Sequence, residues 1–482
     1  MRAIEVTMAD PQRQTEARTA APNGTATNRS LAVQVGRWLA AGARGGALCL
    51  AASALPSQVA QAALAAPAAP GGTAAANTTP AALFAQVRPA VIGVRTLRDD
   101  TGELVSSGSG FFVDAQGRAV TNYHVVANYL GRPDRYRLQA VLADGSTLPL
   151  RVLNFHVVDD VAVVQVDART KSHLRLPGEE RRLEVGTRIH TFGDPARLGV
   201  TVTSGTFSSM VRAIGLERIH FTGVLNDGMS GGPAVDDRAQ VVGINAARMG
   251  SSEQISFLVP AHRAAALYGA VVRGASVAPE AVGDTTRGHL VAFQREVLDE
   301  AMRTPWSTQP RGPYRAPTFL TERLRCENSR GNDITATGAP VPLLRQDYRC
   351  STYQRIELDD GFSAGGLAYR QTYIKQQTLN RVQFNHAVQG AVTKDLLARP
   401  GRRMAAQVCT DRTTLAGPEA VLPVRLLWCA QAYREFAGLY DVEIGVATRD
   451  RKDEALVVRL SLEGVSWETA TAYTQRLLEK IR

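Results

Sequence analysis

The segment Asn226-Asp-Gly-Met-Ser-Gly-Gly-Pro233 decides how this chain is interpreted. It sets Ser230 among Gly228, Gly231 and Gly232, which permit backbone angles that other residues rarely adopt. A serine hydroxyl is a weak nucleophile until a base removes its proton and the backbone lets a carbonyl come close. We therefore expect Ser230 to be a nucleophile, with its own N–H group and that of Gly228 forming an oxyanion hole. The alternative is a glycine-rich surface turn that contains a serine.

The same residues also satisfy G-x-S-x-G, the nucleophile elbow of α/β-hydrolases. An elbow requires a helix that begins at the serine, whereas the residues that follow, Gly231-Gly-Pro-Ala-Val235, are poor helix formers. Elbow enzymes also place their histidine after the serine in the chain. Here the better histidine precedes it, so an α/β-hydrolase-type esterase is the weaker alternative.

The candidate general base is His124, in Thr121-Asn-Tyr-His-Val-Val126, where a strand-like stretch ends. None of the other seven histidines has a comparable sequence setting. A buried carboxylate is needed to fix the imidazole tautomer. Asp160 fits this role because it precedes the apolar run Val161–Val166, which is typical of a buried strand. Its neighbour Asp159 is the alternative.

The stretch from about Leu83 to Tyr268 resembles the protease domain of the HtrA/Deg group of trypsin-like serine proteases. The motifs that carry the resemblance are Ser107-Gly-Ser-Gly-Phe-Phe-Val113, Thr121 to Val126, Asp160-Val-Ala-Val-Val164 and Asn226 to Pro233. The resemblance implies a mainly β fold, a chymotrypsin-like double β-barrel. It also implies a triad of His124, Asp160 and Ser230 that hydrolyses peptide bonds through an acyl-enzyme, with no cofactor and no metal.

The chain departs from this family in two respects. Met229 stands beside the serine where the family usually has asparagine, and we expect this change to alter which extended peptide fits. No PDZ-like segment follows residue 270, and no pair of similar blocks of about 90 residues is evident. Peptide-triggered activation and cage assembly are therefore not carried over, and no oligomeric state is predicted.

We expect two segments of the chain, one before Ser230 and one after it, to form the substrate pocket beside the serine. Neither segment contains an acid, so we expect a small or apolar residue before the scissile bond. The candidate lining residues are Thr222, Leu225, Asn245, Ala246 and Ala247.

Length and charge restrict the class of protein. A chain of 482 residues is long enough for two to three domains. The net charge of +10 is spread along the chain without a basic run, so nucleic-acid binding has little support. A polypeptide is the expected substrate, and a loose affinity for acidic surfaces stays open.

The first part of the chain is predicted to be an export leader. Residues 1–62 contain arginines, then the apolar run Gly45–Leu55, then a small-x-small cleavage site that ends at Ala62. The alternative is a membrane anchor, but Pro56 ends the apolar run short of the ~20 residues that span a bilayer. Residues 63–80 are then a flexible linker. The expected location is the bacterial periplasm or the exterior.

Cysteine usage agrees with export. Removal of Cys49 with the leader leaves four cysteines, which allow three connectivities. Short loops close most readily, which favours the pairs Cys326–Cys350 and Cys409–Cys429. Disulfides imply an oxidising compartment. A zinc site is disfavoured because there is no C-x-x-C spacing and no companion histidine.

The chain after the linker is predicted to have three parts. Residues 81–270 are the predicted protease domain, and residues 271–310 are a helical connector with an apolar stripe that includes Leu290, Phe293 and Val297. Residues 311–482 are predicted to be a smaller α+β domain, loop-like up to about residue 345. This domain is either a stabilising appendage or a binding module for substrate, cell wall or an envelope partner. A non-catalytic binding protein on a protease scaffold is the remaining alternative function, and an intact triad argues against it.

Overall fold

The computed structural model describes ten stretches of the chain. They are residues 79–179, 182–194, 199–213, 216–248, 255–318, 324–331, 341–352, 355–359, 361–393 and 403–482. The predicted leader, residues 1–62, and nearly all of the predicted linker lie outside the described residues. None of the described helices combines the length and the hydropathy needed to cross a bilayer.

Six antiparallel strands close into a first barrel in the order β1-β2-β3-β6-β5-β4. They are β1 (Val91–Arg98), β2 (Leu104–Phe112), β3 (Arg118–Thr121), β4 (Tyr136–Val141), β5 (Thr147–His156) and β6 (Val161–Val166). The apolar run after Asp160 is β6, and its side chains alternate between two hydrophobic clusters, which explains why it is buried on both faces. Helix α1 (Pro80–Val87) precedes the barrel, and helix α2 (Tyr123–Gly131) follows β3.

A second six-stranded barrel follows in the order β10-β11-β12-β9-β8-β7. It contains β7 (Arg188–Gly193), β8 (Thr201–Ala213), β9 (Leu216–Phe221), β10 (Pro233–Val235), β11 (Val241–Arg248) and β12 (Ser256–Pro260). Helix α3 (Ala261–Val272) comes directly after it. The predicted double β-barrel is therefore confirmed.

The rest of the chain is an α+β arrangement, as predicted. Helix α4 (Val282–Arg303) buries Leu290, Phe293 and Val297, so the predicted apolar stripe is confirmed. The strands are β13 (Thr308–Arg311), β14 (Tyr314–Pro317), β15 (Arg325–Arg330), β16 (Leu343–Ser351), β17 (Ile356–Asp359), β18 (Phe362–Ala364), β19 (Leu367–Gln376), β20 (Val408–Ala416), β21 (Leu422–Ala432), β22 (Leu439–Thr448) and β23 (Glu454–Ser466). Three of these strands lie where the sequence predicts loops.

Seven of these strands form one antiparallel sheet, in the order β15-β16-β19-β23-β22-β21-β20. The strands β17 and β18 form a separate hairpin, which we call the cleft hairpin (residues 356–364, with residue 360 not described). Helices α5 (Arg381–Thr393) and α6 (Trp467–Lys480) complete the domain. The side chain of Ser466 accepts a hydrogen bond from the N–H of Thr469 and so caps the N-terminus of the last helix.

Two disulfides join the outermost strands of this sheet to their neighbours. Cys326 and Cys350 face each other on β15 and β16, and Cys409 and Cys429 do so on β20 and β21. This is the pairing that short loops favour. All six residues of β15 are exposed, so this strand makes little buried contact of its own and the covalent bond holds it to the sheet.

The first barrel and the C-terminal domain share one hydrophobic core. The same cluster contains Ile92 and Val126 from the barrel and Ile356 and Leu358 from the cleft hairpin. At its edge, the buried hydroxyl of Tyr123 donates a hydrogen bond of 3.0 Å to the carbonyl oxygen of Leu358. Helix α2 is therefore fixed to both parts of the molecule.

The buried side chain of Asp359 strengthens the same contact. It forms an ion pair of 2.6 Å with Arg403 and lies 3.9 Å from Arg132, which directly follows α2. Gly131 leaves room for this arrangement, since a Cβ atom there would lie 2.5 Å from a guanidinium nitrogen of Arg403. Charge pairing and apolar packing thus act on the same interface.

We expect Tyr123→Phe to lower the free energy of unfolding by about 1–3 kcal/mol, because the Leu358 carbonyl loses its donor while it stays buried. Urea denaturation measures the change. The matched control is Tyr129→Phe on the same helix, since the Tyr129 hydroxyl forms no hydrogen bond with any described residue. Equal effects of the two substitutions would contradict the assigned role of the Tyr123 hydroxyl.

Candidate active site

The carboxylate of Asp160 holds His124 at two points. The ring nitrogen Nδ1 of His124 lies 2.9 Å from Oδ2 of Asp160, and the backbone N–H of His124 donates to Oδ1 at 3.0 Å. An ionised carboxylate only accepts hydrogen bonds, so Nδ1 carries the proton and Nε2 keeps a free lone pair. This is the tautomer that a general base requires.

The backbone around Asp160 adopts an uncommon conformation. Its φ of +61° lies in the left-handed region, which aspartate and asparagine tolerate better than most residues. The side-chain amide of Asn122 donates a hydrogen bond of 2.7 Å to the Asp160 carbonyl oxygen and supports this turn. The neighbouring Asp159 instead contacts His156, with 3.1 Å between the carboxylate and the ring nitrogen. The structure therefore brings Asp160, and not Asp159, to His124.

The environment of His124 favours the protonated imidazole. Burial lowers its pKa, but the negative charge of Asp160 and the hydrogen bond to it outweigh that effect, so the pKa is raised above its usual value. Glu357 adds a smaller contribution in the same direction, and Arg218 opposes it. The imidazole thus takes up a proton more readily than a free histidine.

The hydroxyl of Ser230 donates a hydrogen bond of 3.0 Å to the carbonyl oxygen of Ala246. Within the described part of the chain, it forms no hydrogen bond with His124. Catalytic hydrogen bonds are often long or absent in unliganded sites and tighten when substrate binds. To reach His124, the Ser230 hydroxyl would first have to rotate away from the Ala246 carbonyl.

The N–H groups of the serine loop fall into two classes. Those of Met229, Gly231 and Gly232 donate to the carbonyl oxygens of Asn226, Asn245 and Met229, at 2.8–3.1 Å. The N–H groups of Gly228 and Ser230 form no hydrogen bond with any described residue. These are the two donors that the sequence analysis assigns to an oxyanion hole.

Ser109 braces the serine loop from strand β2. Its hydroxyl donates to the Gly228 carbonyl at 2.7 Å, and its backbone N–H donates to the Ser230 carbonyl at 2.7 Å. At Gly231, where φ is +88°, a Cβ atom would lie 2.1 Å from the Ser109 carbonyl oxygen. Only glycine fits there. Ser109 belongs to one of the motifs that carry the family resemblance, and its link to the serine loop depends on contact between distant segments of the chain.

The residues predicted to line the substrate pocket have different roles. Asn245 is fully buried, and its amide donates to the carbonyl oxygens of Phe192 and Met229 at 2.8 and 3.1 Å, so it supports the loop. Leu225 is buried in the second barrel, and Thr222 bonds to Thr206. Ala246 lines a cleft beside His124. The side chain of Ala247 lies outside the described residues.

Met229 does not face a substrate. Its side chain is fully buried in the core of the second barrel, in a cluster with Leu225 and Phe221. The loop turns this side chain inward, so any effect of Met229 on which peptide fits would act through the loop, and that expectation stays a prediction. A thioether fills such an irregular apolar space well.

A cleft of about 720 Å³ opens beside His124 and Asp160, and both parts of the molecule line it. The barrels contribute Arg218, which is almost fully buried and whose pKa is lowered chiefly by that burial. The C-terminal domain contributes Arg355 and Glu357 from the opposite side. The sequence analysis assigns none of these three charged residues, since they come from distant segments of the chain.

A second histidine also lies between a serine and an aspartate. His190 is 2.8 Å from the hydroxyl of Ser204 through Nδ1 and 2.8 Å from the carboxylate of Asp237 through Nε2. However, Ser204 stands in the middle of β8, directly opposite His190 in the ladder with β7. A serine within a strand ladder lacks the glycine-flanked loop that Ser230 has. We therefore interpret this group as structural.

No cluster of three or more His, Cys, Asp or Glu side chains that could hold a metal ion occurs among the described residues. The His124 imidazole and the carboxylates of Asp160 and Glu357 line the cleft, and the Ser230 hydroxyl bonds to the carbonyl oxygen of Ala246, which also lines it. Together with the two unengaged N–H groups, they provide a base, a nucleophile and oxyanion donors. This arrangement suits acyl transfer.

Comparison with known proteins agrees with this chemistry. The family model for the trypsin-like peptidase domain matches residues 108–244. The chain is 32% identical over 221 residues to Protease Do-like 1, chloroplastic, of Arabidopsis thaliana, covering 42% of this chain and 49% of that protein. It is 34% identical over 181 residues to a probable periplasmic serine endoprotease, DegP-like, of Brucella suis, covering 36% and 34%.

Among solved structures, the serine endoprotease from Yersinia pestis is 26% identical, with a TM-score of 0.35, and the match covers 40% of this chain and 67% of that one. The chain spans half or less of the length of these two curated relatives. The family model itself matches residues that lie within the two barrels.

We expect Asp160→Asn to lower the pKa of His124, because the amide removes the negative charge that holds the pKa up. Asparagine also tolerates the positive φ at this position, so the backbone need not change. NMR titration of the imidazole measures the shift. Asp159→Asn is the matched control, and an equal effect of this substitution would contradict the assignment of Asp160.

Proposed function

We propose that this chain, whose residues 108–244 are a trypsin-like peptidase domain of the HtrA type, is an exported serine endopeptidase. The observation that carries the proposal is the pairing of His124 with Asp160 beside a serine loop that leaves two N–H groups unengaged. Polypeptides are the proposed substrates, and processing or quality control of envelope proteins is the proposed role.

The proposed reaction begins when the Ser230 hydroxyl leaves Ala246 and turns to His124. Oγ bonds to the carbonyl carbon of the substrate while Nε2 of His124 takes the hydroxyl proton. The carbonyl electron pair moves onto oxygen, and the N–H groups of Gly228 and Ser230 stabilise the negative charge. When the tetrahedral intermediate collapses, the C–N bond breaks and the imidazolium gives its proton to the leaving amine.

The second half of the reaction repeats these roles with water. His124 takes a proton from water, the oxygen attacks the ester carbonyl, and the acid is released as Ser230 recovers its proton. Asp160 stabilises the imidazolium that forms in each half and keeps the ring in place. Since a protonated His124 cannot act as a base, activity falls on the acid side of its raised pKa.

The proposal of export is supported by the cysteines. Both disulfides lie in the described C-terminal domain, and such bonds persist in oxidising compartments. A probable periplasmic serine endoprotease of Brucella suis is 34% identical to this chain over 181 residues. The proposed location is therefore the periplasm or the exterior, after removal of the leader.

We expect Ser230→Ala to abolish labelling by a fluorophosphonate and to reduce casein cleavage by about a thousandfold or more, because the nucleophile is lost. The matched control is Ser204→Ala, which removes the serine hydroxyl that is hydrogen-bonded to His190. We expect this variant to keep both activities.

Unfolded casein is present during labelling, so that a resting state that requires substrate is also detected. Labelling that does not depend on Ser230 would overturn the proposal. Cleavage of simple lipid esters without cleavage of casein would instead support the esterase alternative. A protein that binds peptides but neither labels nor cleaves would be the non-catalytic binding protein.

A further inference from the structure

The cleft hairpin is held rigidly against the candidate active site. Ile356 and Leu358 are 4% and 2% exposed and pack in the core shared with the first barrel. The Leu358 carbonyl accepts the hydrogen bond from Tyr123, the residue directly before His124. The hairpin and the candidate general base therefore keep a fixed spacing.

Residues on the other face of β17 point into the cleft. Successive side chains of a strand face opposite sides. Because Ile356 and Leu358 face the core, Glu357 faces away from it, and this side chain is exposed. Arg355, just before the strand, is also exposed, and both residues line the cleft together with His124 and Asp160.

The charged side chains of the cleft differ in whether they bond to another described residue. Arg355 forms an ion pair of 2.9 Å with Glu463. Residue 366 is a glycine, and a side chain there would collide with the Glu463 carboxylate. Arg218 lies buried beneath the cleft and donates to the carbonyl oxygen of Glu217 at 3.0 Å. The side chain of Glu357 forms no ion pair and no hydrogen bond with any described residue. Its carboxylate is thus available to a bound molecule.

We propose that Glu357 determines specificity by binding a Lys or Arg side chain of the substrate, next to the residue whose carbonyl Ser230 attacks. The inference rests on the proposed function, because it takes the bound molecule to be a polypeptide. Of the four described side chains that are expected to receive the residue before the scissile bond, only that of Ala246 lines this cleft. The cleft therefore receives a different substrate residue, and a cation is the chemistry that an unpaired carboxylate recognises.

A second effect follows from the same position. The charge of Glu357 contributes to the raised pKa of His124, beside the larger contribution of Asp160 and against that of Arg218. A cationic substrate side chain that binds Glu357 neutralises this contribution. Substrate binding then makes His124 easier to deprotonate, which extends its action as a base towards lower pH.

The first test compares kcat/KM for two peptides that differ only by Lys or Met at the positions flanking the scissile residue. We expect the wild-type protein to prefer the Lys peptide on the order of tenfold at low ionic strength. Glu357→Gln removes most of this preference, and Glu357→Lys reverses it towards a matched Glu peptide. Glu327→Gln, on the exposed strand β15, is the control and keeps the wild-type ratio.

The second test does not need turnover. In the Ser230→Ala variant, NMR titration gives the pKa of His124 with and without Glu357→Gln, and peptide binding is measured by calorimetry. We expect Glu357→Gln to lower the His124 pKa and to weaken binding of the Lys peptide, while the Met peptide shows no matching loss. An unchanged pKa together with equal binding of the two peptides would overturn the inference.

The two proposals fail in different ways. Loss of Ser230-dependent labelling counts against the endopeptidase, whereas labelling with equal rates on Lys and Met peptides counts against Glu357 alone. Because Glu357 is exposed, its substitutions leave the core intact. Thermal unfolding of each variant verifies this point, and a preference that persists in a folded Glu357→Gln protein refutes the assignment.

Discussion

The carboxylate of Asp160 organises the whole candidate site, because it fixes both the ring and the backbone of His124. One acceptor group thereby sets the tautomer of the imidazole and the start of helix α2. The same helix begins with Tyr123, whose hydroxyl reaches the cleft hairpin. Two consecutive residues thus connect the reactive histidine to an aspartate on one side and to the C-terminal domain on the other.

This connection changes how the C-terminal domain is understood. A single hydrophobic cluster extends from the first barrel through helix α4 to the seven-stranded sheet. Burial of apolar surface is the main stabilising contribution to folding, so the two parts depend on each other for stability. The domain also lines the cleft beside His124. It is therefore more than an appendage, since it forms part of the wall of this cleft.

The sequence predicts those parts of the site that local motifs specify. His124, Asp160 and the serine loop each stand in a short, recognisable stretch, and the double barrel follows from their order. The sequence does not predict that Arg218 and Glu357 line the cleft, because contacts between distant segments bring them there. Asn245 is predicted to face the substrate, yet its amide is used inside the protein by two backbone carbonyls. The strand β15 escapes because its polar residues pair with β16 only in the folded sheet, where context outweighs propensity.

The placement of the disulfides affects how readily the sheet can aggregate with unfolded proteins. An exposed outer strand offers unpaired backbone groups to any extended polypeptide nearby, which is how aggregation by strand addition begins. Here both outer strands of the seven-stranded sheet are covalently held to their neighbours, and β15 also carries three charged side chains among its six exposed residues. Such edge strands stay attached to the sheet and are less prone to pair with another extended chain. The proposed endopeptidase would thus meet loosely folded substrates without adding them to the edges of its sheet.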